Sequence, residues 1–418
     1  MRYLIVILYI CVLLLYLNEA DIQCTKAYSI ICYIQGQSIS PTNPFIIVNS
    51  NQTKASSVII FDGQMPIMPN TIFLNNPQIS TISINSMNLQ QIAPDNFANG
   101  GNLKSIIIMK GMIKTLGNGT FKSCTNLLQL QITEQQISFI DINTFLGLQN
   151  LQILVLNNNQ ISSLHPLLFN PLISLSVILL QNNSLNSLDS TLFVKNTMLS
   201  GIYFAGNSIT DLSNDLFKNQ NFKSGSIDFS YNYLTTAQSY GASTINFSFN
   251  KLKTFYLSSG ESTINIRNNF LRKIICPNSI PTVKRLYLSN NSLSNFLCIR
   301  DMVNLTELDV SENKYLIKPT KNTFMKLTKL MILTMCNMTK FTSIPAKAFV
   351  STQNSLYNLR VDSLSSYKIV KQLLPQLTVL AINTLNKNCT YLQSLKTLLK
   401  NQSISMNYCA IEDRNRCN

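Results

Sequence analysis

Histidine occurs once in this 418-residue chain, at His165, and glycine only thirteen times. One histidine leaves little from which to assemble a Ser–His–Asp or Cys–His arrangement. No HExxH, CxxC or phosphate-cradling glycine loop is present either. His165 precedes Pro166 and is expected to be a solvated loop residue. Charge is also scarce, with 12% charged against 45% hydrophobic residues, a balance foreign to disordered chains and coiled coils. After the first twenty residues no run approaches 18 apolar residues, and with the polar stretch "NYCAIEDRNRCN" no GPI signal is expected. Together these absences argue against an enzyme, and no cofactor or metal is expected.

The opening "MRYLIVILYICVLLLYLNEA" has one Arg, an apolar run from Leu4 to Leu17 and a small residue, Ala20, before Asp21. That is the layout of a secretory signal peptide at 1–20, the alternative being an uncleaved signal anchor. Secretion implies oxidised cysteines and N-glycans. Nine sequons begin at Asn51, Asn118, Asn182, Asn246, Asn290, Asn304, Asn337, Asn388 and Asn401.

What the chain has in abundance is a repeat. The frame of "LQILVLNNNQISSL" starts at Ala55, Ile79, Leu103, Leu127, Leu151, Leu175 and Leu199, each 24 residues after the last. Eighteen residues into each frame stands a phenylalanine: Phe73, Phe97, Phe121, Phe145, Phe169, Phe193 and Phe217. Looser frames follow at Ser224, Ala242, Glu261, Val283, Leu305, Leu330, Leu356 and Leu377, making fifteen. Each frame predicts one short strand that buries alternate residues, such as Leu154 and Leu156, and turns Ile153 and Val155 outward. Stacked strands make one parallel sheet. Asn159, with Asn183, Asn207, Asn232, Asn250, Asn269, Asn291 and Asn313 at the same position, predicts a buried ladder of amides bonding the backbone after each strand. The ladder lapses at Gly63, Met87, Gly111 and Gln135 before it and at Met338, Leu364 and Leu385 after it, so the ends are expected to be less regular. Two repeats between Ser224 and Glu261 shrink to 18 and 19 residues and lose the Phe column. A thinner outer layer and a change of curvature are expected there, dividing the solenoid into two arms. Cys276 and Cys298 stand fifteen residues into neighbouring repeats, within disulfide reach as a bond or as a buried free pair.

The pattern L-x-x-L-x-L-x-x-N-x-L-x-x-L with a later Phe resembles the 24-residue extracellular leucine-rich repeats over about residues 55–400. The resemblance implies an α/β fold, a horseshoe solenoid with a parallel concave sheet and about fifteen repeats between two caps. It divides the chain into a signal peptide at 1–20, an N-terminal cap at 21–54, regular repeats at 55–223, irregular basic repeats at 224–388 and a C-terminal cap at 389–418. Cys24 and Cys32 match the place of a disulfide in an N-terminal cap. Cys389, Cys409 and Cys417, around a short amphipathic helix at Tyr391 to Lys400, resemble a reduced C-terminal cap. Without Cys11 nine cysteines remain, so at least one lacks an internal partner, and Cys417 is expected to reach another chain. Secretion, repeat class and spare cysteine resemble those of the mosquito secreted leucine-rich-repeat immune proteins. Members of that family carry a C-terminal coiled coil, a pattern not seen in this chain after Cys417.

Fold of this class says little about function, so the surface must. Residues 21–250 hold nine Lys/Arg and nine Asp/Glu, whereas 251–400 hold 21 against six, which places the whole net +15 in the second arm. A basic face there is expected to attract polyanions such as sulfated glycans, unless the lysines serve solubility alone. Outward strand positions of the second arm include Arg267, Arg285, Glu307, Asp309 and Arg360; with Glu312, the carboxylates are read as recognition or solvation. In the first arm the outward positions are apolar: Ile107, Met109, Ile153, Val155, Val177, Leu179 and Tyr203. Either these are simply strand formers, or they are a partner-binding concave face. The function expected is recognition or adaptor binding of a protein or microbial surface in innate immunity, with matrix or developmental ligand binding, or a shed receptor ectodomain, as alternatives. A homo- or heterodimer fits the spare cysteine. Neither nucleic acid nor a transmembrane anchor is expected.

Overall fold

Alternation turns each repeat into one rung. In "LQILVL" the side chains of Leu151, Leu154 and Leu156 are sealed from water, and Ile153 and Val155 lie on the opposite side of the strand. The computed structural model describes residues 31–36, 38–39, 56–222, 224–258, 260–277, 282–341, 343–364, 367, 370–382 and 389–409. Within them the strands form one 17-stranded sheet in which each pairs in parallel with the next, from Ile31–Gln35 to Ser405–Tyr408. The fold is a solenoid of stacked parallel rungs, as the repeat predicted. Register is kept from rung to rung, so that Leu130, Leu154, Ile178, Ile202 and Ile227 face one another along the core. Each fully buried Leu, Ile or Phe stabilises the stack by about 1.5–3 kcal/mol.

All fifteen sequence frames carry a strand of this sheet, and two further strands come from the stretches expected as caps. Ile31–Gln35 pairs with Ser57–Phe61, and Ser405–Tyr408 pairs with Val379–Ile382. The helix Cys389–Asn401 buries Leu392, Leu395 and Leu399 along one stripe and covers the C-terminal end of the core. Away from the sheet the chain is mostly turns and short 3-10 segments such as Pro94–Phe97 and Ala346–Thr352, with few α-helices. The expected signal peptide at 1–20, together with Cys24, Asn51, Asn388 and Cys417, lies outside the described residues.

The asparagine ladder is a hydrogen-bonded column. Asn183 donates through Nδ2 to the carbonyls of Leu156 and Leu180, at 3.0 and 3.1 Å, while its Oδ1 accepts from the Ile161 amide of the preceding rung at 3.0 Å. Asn159, Asn207, Asn232, Asn250, Asn269, Asn291 and Asn313 repeat the arrangement, all buried. At Gln135 the ladder, expected to have lapsed, continues by another route. Its longer side chain accepts from the Ile113 amide at 3.3 Å and donates to the Thr133 carbonyl at 3.1 Å. Gly111 makes room for it, because a Cβ there would stand 2.5 Å from the Gln135 Oε1. Toward the other end the Asp362 carboxylate takes the amides of Asn337 and Met338 at 2.7 and 2.6 Å.

The short repeats change the back layer. Thr236–Gln238, Thr254–Tyr256 and Lys273–Ile275, each with a β-branched or aromatic residue, pair as a second, three-stranded parallel sheet behind the first. Front and back then share the strand spacing of ~4.8 Å. The front sheet itself runs on unbroken through Ser226–Asp228, Thr244–Asn246 and Thr263–Asn265. The aromatic column also moves. Phe169, Phe193 and Phe217 stack at 5.7 and 5.6 Å, Phe193 meets Phe204 edge-on at 6.2 Å, and the stack passes to Phe229 and Phe247 beneath the front sheet. Phe324 and Phe349 resume the outer column at 5.7 Å.

Candidate functional site: the concave sheet

Three consecutive strands, Ile153–Val155, Val177–Leu179 and Gly201–Tyr203, form an apolar block on the concave side. Their register places Ile153, Val177 and Gly201 in one row and Val155, Leu179 and Tyr203 in the next. A Cβ on Gly201 would meet Tyr203 Cε2 at 3.1 Å and the Val177 methyls at 3.2 and 3.3 Å. The tyrosine ring therefore folds back over the glycine and closes the block on that side.

The residues expected on this face do not all lie together. Ile107 and Met109 are on Ser105–Met109, and Gln129–Thr133 runs between that strand and the block. Gln131 stands directly between Ile107 and Val155, its amide 3.4 Å from the Met109 sulfur. The expectation that all seven point into water needs correcting for Ile107 and Val155, which are only 8% and 6% exposed. Neither belongs to the leucine core. At ~4.8 Å strand spacing, neighbouring side chains on the concave surface cover one another. Met109, Ile153, Val177, Leu179 and Tyr203 are half-exposed.

Along the same row the chemistry turns polar: Tyr203 is followed by Asp228, Asn246, Asn265, Tyr287 and Asp309. Arg267 spans two rungs here, with Nη2 2.8 Å from an Asp309 oxygen and its guanidinium carbon 4.4 Å from the Tyr287 ring centre. Burial, with Glu307 beside the hydroxyl, raises the pKa of Tyr287 against the opposing pull of Arg285 and Arg267. Arg285 bonds Thr263 Oγ1 at 3.0 Å, and Arg360 is half-exposed on the same face. Glu307 and Asp309 are thus members of a charged, tyrosine-centred cluster, and Glu312 lies exposed on the turn that follows.

Cys276 and Cys298 are disulfide-bonded across neighbouring repeats, with Cα atoms 5.9 Å apart. Cys409 bonds Cys336, a pairing that ties the end of the solenoid to a rung 73 residues earlier. Cys389 is disulfide-bonded as well. Cys124 is a buried free thiol, and burial pushes its pKa up to about 12. Among the sequons, Asn118, Asn182, Asn290, Asn337 and Asn401 are exposed. Asn304 is half-buried, as is Asn246, whose Oδ1 accepts from Ser248 on the concave face. His165 is exposed in its turn.

A family profile, that of the BspA type leucine rich repeat region, matches in six copies over residues 50–141 and 114–246. No curated protein sequence matches the chain. Similar solved structures include a chain of a TLR13–ssRNA13 complex (20% identity, TM-score 0.68, covering 85% of this chain and 54% of that one). A leucine-rich-repeat protein of Leptospira interrogans matches at 17% identity and TM-score 0.68, over 84% of this chain and 89% of its own. The mosquito LRIM1/APL1C complex matches at 22% identity and TM-score 0.54, over 68% of this chain and 48% of the other. The chain thus spans about half the length of the TLR13 and LRIM1/APL1C chains, and at these identities the likeness is one of fold. Solenoids of this fold typically serve as protein-interaction scaffolds. Among the described residues no helix is long and apolar enough to cross a membrane.

Proposed function

We propose that the protein is a secreted recognition or adaptor protein of innate immunity that binds another protein or a microbial surface through its concave face. The observation that carries the reading is the block Ile153, Val155, Val177, Leu179 and Tyr203, apolar on a side of the sheet that the core does not require to be apolar. The signal-like N-terminus, the sequons and the fold shared with the mosquito LRIM1/APL1C complex support the extracellular and immune parts of the proposal. The test is affinity capture from challenged and unchallenged body fluid with the secreted chain and with Val177→Asp plus Leu179→Asp. Both positions are half-exposed, so the variant should fold, be exported and lose the partner. Undiminished capture of the same partner would move the interface elsewhere.

A second reading rests on charge. The excess of 21 Lys/Arg over six Asp/Glu in residues 251–400 suits a polyanion such as a sulfated glycan, by attraction that salt screens over ~8 Å.

A further inference from the structure

From Ser105–Met109 to Glu307–Asp309 the turn that leaves each strand of the front sheet has one residue in the left-handed region, immediately before the ladder position. Along the column it is Lys110, Glu134, Asn158, Asn182, Gly206, Tyr231, Phe249, Asn268, Asn290 and Glu312. Two of these stand apart. Tyr231 and Phe249 hold φ of 54° and 56°, a conformation that bulky residues rarely adopt. Both are exposed, 58% and 43%, so burial does not compensate the strain. Their rings stack on each other, 4.3 Å between centres and 8° from parallel. Two residues further along the same turns come exposed Tyr233 and Phe270, with the Lys251 ammonium between them 4.6 Å from the Tyr233 ring. Arg272 is exposed on the next turn position but one. Three adjacent rungs thus present an aromatic ridge interleaved with cations on the lateral edge of the solenoid. From Phe229 to Arg300 the chain carries eight Lys/Arg and a single acidic residue, Glu261, which is fully buried.

We propose that this ridge is a binding site for an anionic polysaccharide, sugar rings lying against Tyr231, Phe249, Tyr233 and Phe270 while sulfate or carboxylate groups meet Lys251 and Arg272. The inference deepens the polyanion reading by giving it a place and a second source of affinity. Backbone strain concentrated in exposed rings is a feature of binding surfaces rather than of folding. A second copy meeting it ridge to ridge would set like charge against like, which disfavours that occupant. A single nucleic-acid strand needs a succession of open ring faces. Here the inner faces of Tyr231 and Phe249 already cover each other, whereas sugar C–H groups need only the outer faces and edges. Gly206, next in the column, leaves the outer side of Tyr231 free of a side chain.

The experiment uses the full chain and three probes, heparin, inorganic polyphosphate and oligo(dT), with Tyr231→Asn plus Phe249→Asn and, separately, Lys251→Gln plus Arg272→Gln. Asparagine is the residue four neighbouring turns already hold in this conformation, so the first variant should be at least as heat-stable as the parent. The aromatic variant is expected to bind heparin roughly tenfold more weakly, one decade in Kd, with polyphosphate, which has no sugar ring, changed less than about twofold. The basic variant should weaken both. If the aromatic variant binds heparin like the parent while the basic variant loses it, charge alone is responsible; the ridge proposal falls and the polyanion reading stands. If the parent binds no heparin, both fall. Loss of oligo(dT) but not heparin in the aromatic variant would overturn the proposal in favour of a base platform.

Discussion

Arg267 crosses two rungs of the concave sheet to reach Asp309, lying over the Tyr287 ring on the way. The parallel in-register stack brings these two residues, 42 positions apart in the chain, to a 2.8 Å contact. The pair is half in water, 38% and 14% exposed at the side chains, so its worth is limited by screening. Arg267→Ala is expected to lower unfolding free energy by about 1 kcal/mol. Urea denaturation at low and high salt should show the difference narrowing as salt rises.

The ladder side chains should be far more sensitive than their exposed neighbours. Asn250→Ala removes the partner of the Phe229 and Phe247 carbonyls and of the Leu234 amide, all buried, and should cost about 2–3 kcal/mol or more. Gly111→Ala should destabilise by crowding Gln135, and Gln135→Asn in the same chain should recover much of the loss by restoring an ordinary rung. Thermal unfolding of the two single variants and the pair measures this coupling.

Cys124 should resist alkylation. Its thiol is held to a pKa of about 12 against an ordinary 9.0, so native protein at pH 8 should not react with iodoacetamide, while unfolded protein should. The sign of the pH dependence follows from the raised value. The unfolded chain gives up this proton first as pH rises past 9.0, so the stabilisation is full below that pH and is lost towards about 12. Cys124→Ala should flatten that part of the alkaline stability curve.

Reduction should act on the end of the molecule. The Cys336–Cys409 bond closes a loop of 73 residues, and its loss should cost about 4 kcal/mol by the chain-entropy argument. Cys336→Ser with Cys409→Ser is expected to expose the helix Cys389–Asn401 to protease while the rungs around Asn183 stay resistant. Limited proteolysis followed by mass spectrometry would locate the first cuts, and early cuts around Asn183 would contradict this order.

Much of this molecule was legible without coordinates because a solenoid makes long-range contacts periodic. Residues one repeat apart in sequence become neighbours in space, so the spacing of Leu154, Asn159 and Phe169 was enough to predict a strand at every rung and a column of amides and of rings along the rungs that keep them. The Cys276–Cys298 contact was within reach of the same reasoning, since both cysteines occupy one position of adjacent repeats. Periodicity could not reveal how an irregular rung is repaired. Gln135 sustains the ladder only because Gly111 vacates the space beside it, and Asp362 takes up amides at a position the frame left empty. Nor could alternation distinguish which outward residues meet water: Val155 and Ile153 share a strand face, yet neighbours on adjacent strands cover one far more than the other. The aromatic ridge of Tyr231 and Phe249 was likewise hidden in sequence, because its departure from the pattern is a matter of backbone angle and ring stacking. Spacing along the chain determined the rungs, whereas side-chain volume and hydrogen-bonding capacity on adjoining rungs decided how each one closed and what it presents to a partner.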